Sequence, residues 1–338
     1  MNAPPRVNAA SELDDRVEMW LLEQGAPPLF VEARPGAFAS LADAQQWVSE
    51  NRATLDRLIL ENGAVVLRGF PVESAEDFNA FITRFPLYER GYAGGGSPRS
   101  KVAGEVMEAS RYDAHMKLCL HQEMAYTRDY PPRIAFFCRK PADKGGETLI
   151  GHMRAFTDRL PESLRQRLET HGVTGVRNYM APRERADNVV DRDGKTWDEA
   201  FGTTDRAAVE RQCAEMDLKP IWRDGDRLAV LTTLPAFATH PVTGERYYRN
   251  IIHTDRFDPM TGDVRKARDN DPLATGYRFG DGTSISDDET RLLHAELRAI
   301  ERRWDWQAGD MLLIDNLQVA HGRNPYVGER ETLVALLA

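Results

Sequence analysis

Between residues 43 and 63 the run DAQQWVSENRATLDRLILENG repeats apolar residues at helical spacing and stops at Gly63, which predicts one amphipathic helix. The next run, AVVLRGF (64–70), is short, apolar and rich in β-branched residues, so it predicts a strand. A helix then follows over SAEDFNAFITRF, where Ser74 and Asp77 stand at capping-box spacing. Further strands are predicted over LCLHQEMAY (118–126), RIAFFCRKP (133–141) and ETLIGHM (147–153). Further helices are predicted over 161–172, closed by Gly172, and over 286–303, where Ser286 and Glu289 repeat the capping box. The last run, GDMLLIDNLQVAHGRNPYVGERETLVALLA, reads as strand, turn, strand, loop, strand.

Strands therefore gather at both ends, around a polar, loop-rich middle from 174 to 285 with neither internal repeat nor linker composition. Their partners lie far apart in sequence and do not alternate with helices. That fits a mainly β fold, a double-stranded β-helix (jelly roll) with flanking helices, better than a parallel α/β sheet. A single domain over 1–338 is expected, with 1–15 as a loose leader and 174–285 as an insertion that covers the substrate. The glycine-rich GYAGGGSPRS (91–100) lacks a GK[ST] ending and predicts a flexible loop, not a phosphate cradle.

Composition narrows the function. With 338 residues, 41% hydrophobic and 29% charged, the chain can bury a sizeable core. A net charge of −9 and no basic patch interleaved with aromatics argue against nucleic acid as a partner. Cys119, Cys138 and Cys213 lack CxxC spacing, so neither a disulfide framework nor a zinc ribbon is expected, and a cytoplasmic setting is. No signal-peptide pattern and no apolar run of about 18 residues point to a membrane.

Within LHQEMAY (120–126), His121 and Glu123 interrupt an apolar run. If that stretch is extended, positions i and i+2 share a face about 7 Å apart, and an imidazole and a carboxylate converge. They supply two donors of a facial triad of two His and one carboxylate. His115, His152, His171, His240, His253 and His294 read as surface or locally hydrogen-bonded imidazoles. His321 differs, because a strand, a DN turn and a second strand deliver it, and Arg330 follows nine residues later. Spacing alone leaves open a metal site or a polar pair on a wet edge.

The same residues lie in runs that carry a resemblance: LHQEMAYTRDYPPRIAFFCRKPADKGGETLIG, WDEAFGTTDRAAVERQC, HPVTGERYYRN and GDMLLIDNLQVAHGRNPYVGER. Together they resemble the taurine/2,4-D dioxygenase (TauD/TfdA) family of Fe(II)- and 2-oxoglutarate-dependent oxygenases. More narrowly they resemble its natural-product branch, typified by the syringomycin-pathway aspartyl hydroxylase. The resemblance implies iron on His121, Glu123 and His321, and the distal carboxylate of 2-oxoglutarate on Thr148 and Arg330, with O2 as the second cosubstrate. An Arg fork and a hydroxyl suit a carboxylate. Arg330 is the only Arg after Asn324, and Arg323 is its one nearby substitute. The carboxylate of Glu123 argues against halogenation, because halogenating relatives carry a small residue there.

Hydroxylation of an amino acid or similar small acid, free or carried by a carrier protein, is the activity implied; desaturation and cyclisation share its chemistry. Arg111, Tyr126, Trp222, Arg249 and Asn250 are candidate substrate contacts. Two other classes compete: a non-catalytic jelly roll that binds a small acid or zinc, and a metal-dependent hydrolase. The second lacks HExxH or a second carboxylate cluster.

Overall fold

The computed structural model describes residues 13–90, 100–109, 112–184, 196–255, 257–264 and 275–338. The chain opens with a hairpin, β1 (Val17–Glu23) and β2 (Ala26–Ala33), which the hydrophobic pattern does not announce because two prolines and several charges interrupt it. The single helix expected over 43–63 is two, α1 (Leu41–Glu50) and α2 (Arg52–Asn62). Asn51 separates them at φ −99° and ψ 10°, its side-chain amide donating back to Trp47 O, a bond that competes with helical continuation.

Next come β3 (Ala64–Arg68) and α3 (Ala75–Ile82), which opens on the Ser74–Asp77 capping box as the spacing predicts. The following strands are β4 (Lys101–Ala103), β5 (Val106–Glu108), β6 (Leu118–His121), β7 (Arg133–Lys140), β8 (Lys144–Gly145) and β9 (Thr148–His152). Helices α4 (Met153–Arg159) and α5 (Glu162–His171) lead to β10 (Val173–Tyr179), α6 (Trp197–Phe201) and α7 (Arg206–Glu215). Then follow β11 (Lys219–Arg223), β12 (Arg227–Leu234), β13 (Phe237–Thr239), β14 (Arg246–Tyr248), β15 (Gly276–Phe279) and α8 (Asp287–Ile300). The chain closes with β16 (Met311–Asp315), β17 (Val319–Arg323), β18 (Tyr326–Val327) and β19 (Glu331–Leu337).

Two sheets make the jelly roll. The larger runs β1-β2-β3-β16-β7-β19-β5-β4, and the smaller runs β6-β17-β9. Alternation assigns the two faces of the large sheet. Val65, Leu67, Ala135 and Leu313 pack outward against Trp47, Ile59 and Phe78 of the helices. Val66, Phe136, Leu312 and Val334 point inward, where Ile150 and Val319 of the small sheet meet them. The small sheet's outer face is covered by a third cluster containing Leu120, Leu149, Phe156 and Leu293.

The described residues of the middle hold more regular structure than their polarity predicts. They contain an antiparallel sheet, β11-β12-β10-β15, with a satellite core of Trp197, Val209, Cys213 and Leu228. β10 (VTGVRNY) and β11 (KPIWR) mix polar and apolar residues without strict alternation, and the apolar residues of β12 (RLAVLTTL) come as a run, so the period-two signal is faint. The glycine-rich segment falls almost wholly at 91–99, outside the described residues. Among the described residues, no helix is long and apolar enough to cross a membrane.

Candidate metal centre

Strand register brings the two imidazoles together. β17 pairs antiparallel with β6, His321 opposite His121, and the ring centroids lie 4.5 Å apart. On its other side β17 pairs with β9, setting Ile150 opposite His321 and Thr148 opposite Arg323. Residues opposite each other share a face, so His121, His321, Thr148 and Arg323 all belong to the interior face of the roll.

Glu123 reaches the same place by a different route. The stretch 118–126 is not extended throughout: β6 stops at His121, and 123–126 form a turn in which Met124 adopts φ 55°. The same-face argument from an extended i, i+2 pair therefore does not hold. Asn316, in the turn between β16 and β17, grips Glu123 instead, accepting from its N–H at 2.8 Å and donating to its carbonyl at 3.0 Å and to Pro131 O at 2.8 Å. Arg249 braces the other end, donating to Met124 O at 2.8 Å and Thr127 O at 3.1 Å while its guanidinium lies 3.5 Å from the Tyr130 ring centroid.

The result is a cluster in which one ligand atom each from His121, Glu123 and His321 lies within 4.8 Å of the others. Glu123 and His321 are buried and His121 is half-buried. Cys119 O lies 2.9 Å from His121 Nδ1, and with Nδ1 as donor the ring is the tautomer whose Nε2 lone pair can ligate a metal. His321 is set by its strand and by the Phe136 ring, 4.9 Å away, because its Nδ1 is buried without a hydrogen-bond partner. Its Nε2 lies 3.7 Å from a Glu123 oxygen.

Further along the interior, Arg330 donates to Gly146 O at 2.8 Å and its Nη2 is 3.4 Å from Thr148 Oγ1. Burial and then the Arg323 charge push its pKa down to about 10, and among the described residues no carboxylate pairs with it. A cleft of about 190 Å³ runs along this guanidinium, lined also by Cys138, Gly146, Trp306 and Thr332. Arg323 is committed elsewhere, donating to Tyr112 O, Asp113 O and Met116 O.

Known proteins share this arrangement's sequence. The model of the family "Taurine catabolism dioxygenase TauD, TfdA family" matches residues 26–336. The chain belongs to the TauD/TfdA dioxygenase family. It is 33% identical to a clavaminate synthase-like protein of Arabidopsis thaliana over 301 residues, 86% of each chain. It is 28% identical to the dapdiamide synthesis protein DdaC of Enterobacter agglomerans, covering 88% of this chain and 89% of that one. A taurine dioxygenase structure from Burkholderia xenovorans aligns with a TM-score of 0.50 at 15% identity, over 95% of this chain and 89% of that one. That likeness speaks for the jelly-roll fold.

A TauD/TfdA enzyme depends on Fe(II) and 2-oxoglutarate. The residues fit both. Two imidazoles and a carboxylate are the donor set that suits ferrous iron with positions left open, and a half-buried guanidinium beside a hydroxyl suits the distal acid of 2-oxoglutarate.

The candidate substrate contacts are scattered. Tyr126, in the Glu123 turn, and Asn250 line one small pocket, although Asn250 Oδ1 also accepts from Ile251 N and Ile252 N. Arg249 is buried in the brace just described. Trp222 is not brought near the triad: it packs edge-on to Trp197 in the satellite core and donates to Glu210. Arg111 lies outside the described residues. His240, His253 and His294 are buried and locally bonded, to Asp315, Leu120 O and His253 O respectively. Sequence reasoning missed Asn316 as the holder of Glu123 and Arg177 in the small pocket. The DN turn was a weak signal for the first; a lone Arg in a polar strand gave none for the second.

Proposed function

We propose that this TauD/TfdA enzyme holds iron on His121, Glu123 and His321 and the distal carboxylate of 2-oxoglutarate on Arg330 and Thr148. It hydroxylates an unactivated C–H of an amino acid or related small acid, so that R–H, 2-oxoglutarate and O2 become R–OH, succinate and CO2. The observation that carries this reading is the convergence of three ligand atoms within 4.8 Å, with Thr148 on the same interior face and the half-buried Arg330 guanidinium 3.4 Å from its hydroxyl.

Iron held by His121, Glu123 and His321 would supply the O2-activating redox chemistry that couples 2-oxoglutarate decarboxylation to C–H oxidation. The chain's own residues orient and shield. His121 is kept in one tautomer by Cys119 O, Glu123 is fixed by its turn, and Phe136 closes one side of His321. A carboxylate at 123 fills the place a halide needs, which favours hydroxylation over halogenation. The relative named for dapdiamide synthesis supports a place in secondary metabolism. The three free cysteines suit a reducing cytoplasm.

The test is spectroscopic. Anaerobic enzyme with Fe(II) and 2-oxoglutarate is expected to give a visible charge-transfer band that His121→Ala loses; no band in the wild type, or a band that persists in His121→Ala, overturns the ligand set. Arg330→Ala is expected to raise the 2-oxoglutarate requirement about ten- to a hundredfold, the range of a lost hydrogen-bonded charge. An unchanged requirement moves the clamp away from Arg330.

A further inference from the structure

The four-stranded sheet of the insertion does not face solvent on both sides. Val173, Gly175 and Arg177 of β10 turn the same way, level with Leu234 and Thr232 of β12 and with Tyr277 of β15. That face meets Ala125 and Tyr126 of the Glu123 turn and the Asn250–Ile251 segment across a pocket of about 20 Å³, enough for roughly one water molecule. Arg177 is the sole charged residue in the lining.

Its surroundings are built for a charge. The Arg177 guanidinium lies 4.0 Å from the Tyr126 ring centroid, a cation–π contact that holds the planar fork beside the turn. Burial pulls its pKa down, yet the phenols of Tyr277, Tyr179 and Tyr126, together with a hydrogen bond to Tyr179, leave it raised above the ordinary Arg value. At position 175 a Cβ would come within 2.9 Å of Tyr277 Cε1, so glycine there lets the Tyr277 ring lie against β10 and close the pocket wall.

We infer that this pocket is the subsite for a carboxylate of the substrate, with Arg177 as its anchor. The inference rests on the reading of the chain as an oxygenase of small acids and names how the acid is recognised. A guanidinium suits a planar carboxylate, and Thr232 and Tyr277 line the same wall. Room for about one water molecule admits a carboxylate oxygen in that water's place and leaves the rest of the acid outside the pocket. Tyr126 is three residues beyond Glu123, so an acid held here leaves the rest of the molecule to run along the turn toward the triad. A chemical consequence follows. An amino acid tethered to a carrier protein has its carboxyl converted to a neutral thioester, so a carboxylate subsite selects a substrate that keeps a free acid.

The test compares each proteinogenic L-amino acid with its α-amide and its N-acetylcysteamine thioester. Two readouts are used: perturbation of the visible band of the anaerobic Fe(II) and 2-oxoglutarate enzyme, and the melting midpoint of the metal-free protein. At least one free acid is expected to act at about ten- to a hundredfold lower concentration than its amide and thioester. Arg177→Met is expected to erase that preference, Arg177→Lys to keep part of it, and circular dichroism to show both variants folded. Equal potency of acid, amide and thioester, no response to any acid, or a preference that survives Arg177→Met overturns the assignment. Acid-specific stabilisation of the metal-free protein without any visible band sinks the iron reading and leaves the subsite standing.

Discussion

The two imidazoles and the carboxylate of the triad are held in place by different means. His121 and His321 sit opposite each other in a backbone ladder that also ties β17 to β9, so their approach follows from sheet register. Register is specified strongly wherever one face is buried, because a one-residue slip turns every side chain to the wrong side. Glu123 has no such guarantee. It stands in a turn beyond the end of β6, gripped by Asn316 from 193 residues away and steadied by Arg249, which bonds the carbonyl of the neighbouring Met124 from 125 residues away. Two of the proposed ligands thus belong to the fold and the third to a set of side-chain bonds, so perturbing each kind should separate loss of fold from loss of metal.

The largest effect is expected from Asn316→Ala. It strips the Glu123 N–H, the Glu123 carbonyl and Pro131 O of their bonds in a buried site, at about 1–3 kcal/mol for each group left unpaired. Affinity for Fe(II) or Co(II), measured by anaerobic titration calorimetry, should fall by about ten- to a hundredfold as it does when ligand-orienting partners are lost. Metal affinity equal to the wild type would place the control of Glu123 elsewhere. Next comes a perturbation of the ladder. A Cβ at Gly322 would stand 2.5 Å from Leu118 O and 3.1 Å from the Cys119 carbonyl carbon, so Gly322→Ala must push β6 off β17. Overpacking of this kind costs about 1–3 kcal/mol. Its denaturant midpoint should drop and metal affinity should follow only in proportion, whereas a variant of unchanged stability that loses metal would blur the distinction drawn between the two kinds of ligand.

That distinction also marks what was legible in the sequence. Features written locally were readable: the capping boxes at Ser74 and Ser286, the strands over 64–68 and 133–140, and the strand, turn, strand that delivers His321. His121 and Glu123 were singled out together, but for a geometry that only His121 has, since nothing in QEMAY signals that the strand ends at 121 and that Met124 turns left-handed. The hairpin at 17–33 was hidden by its prolines and charges, and the β11-β12-β10-β15 sheet by strands that do not alternate strictly between apolar and polar. Arg249 and Trp222 illustrate the limit for surface chemistry. Both residue types are common at binding sites, and only three-dimensional context shows one gripping backbone carbonyls and the other packed in a satellite core. Long-range side-chain bonds, such as Asn316 to Glu123, leave little trace in local pattern: the DN turn marks Asn316 but not its partner.

The smallest effect is expected at Arg249, and it bears most directly on how Glu123 is held. Burial pushes this guanidinium down to about 10, and among the described residues no carboxylate compensates it. A buried cation in that state adds little net stability, because its desolvation offsets the two carbonyl bonds it makes. Arg249→Met keeps an unbranched apolar stem against Tyr130 but removes both donors, so the melting midpoint should move little while metal affinity falls by up to about tenfold. Arg249→Lys, a point donor able to satisfy one carbonyl rather than two, should lie between. A large drop in stability with intact metal affinity would recast Arg249 as a core element. Metal affinity unchanged in both variants would reduce the hold on Glu123 to Asn316 alone, and the third ligand would then depend on a single side chain where the other two depend on a sheet.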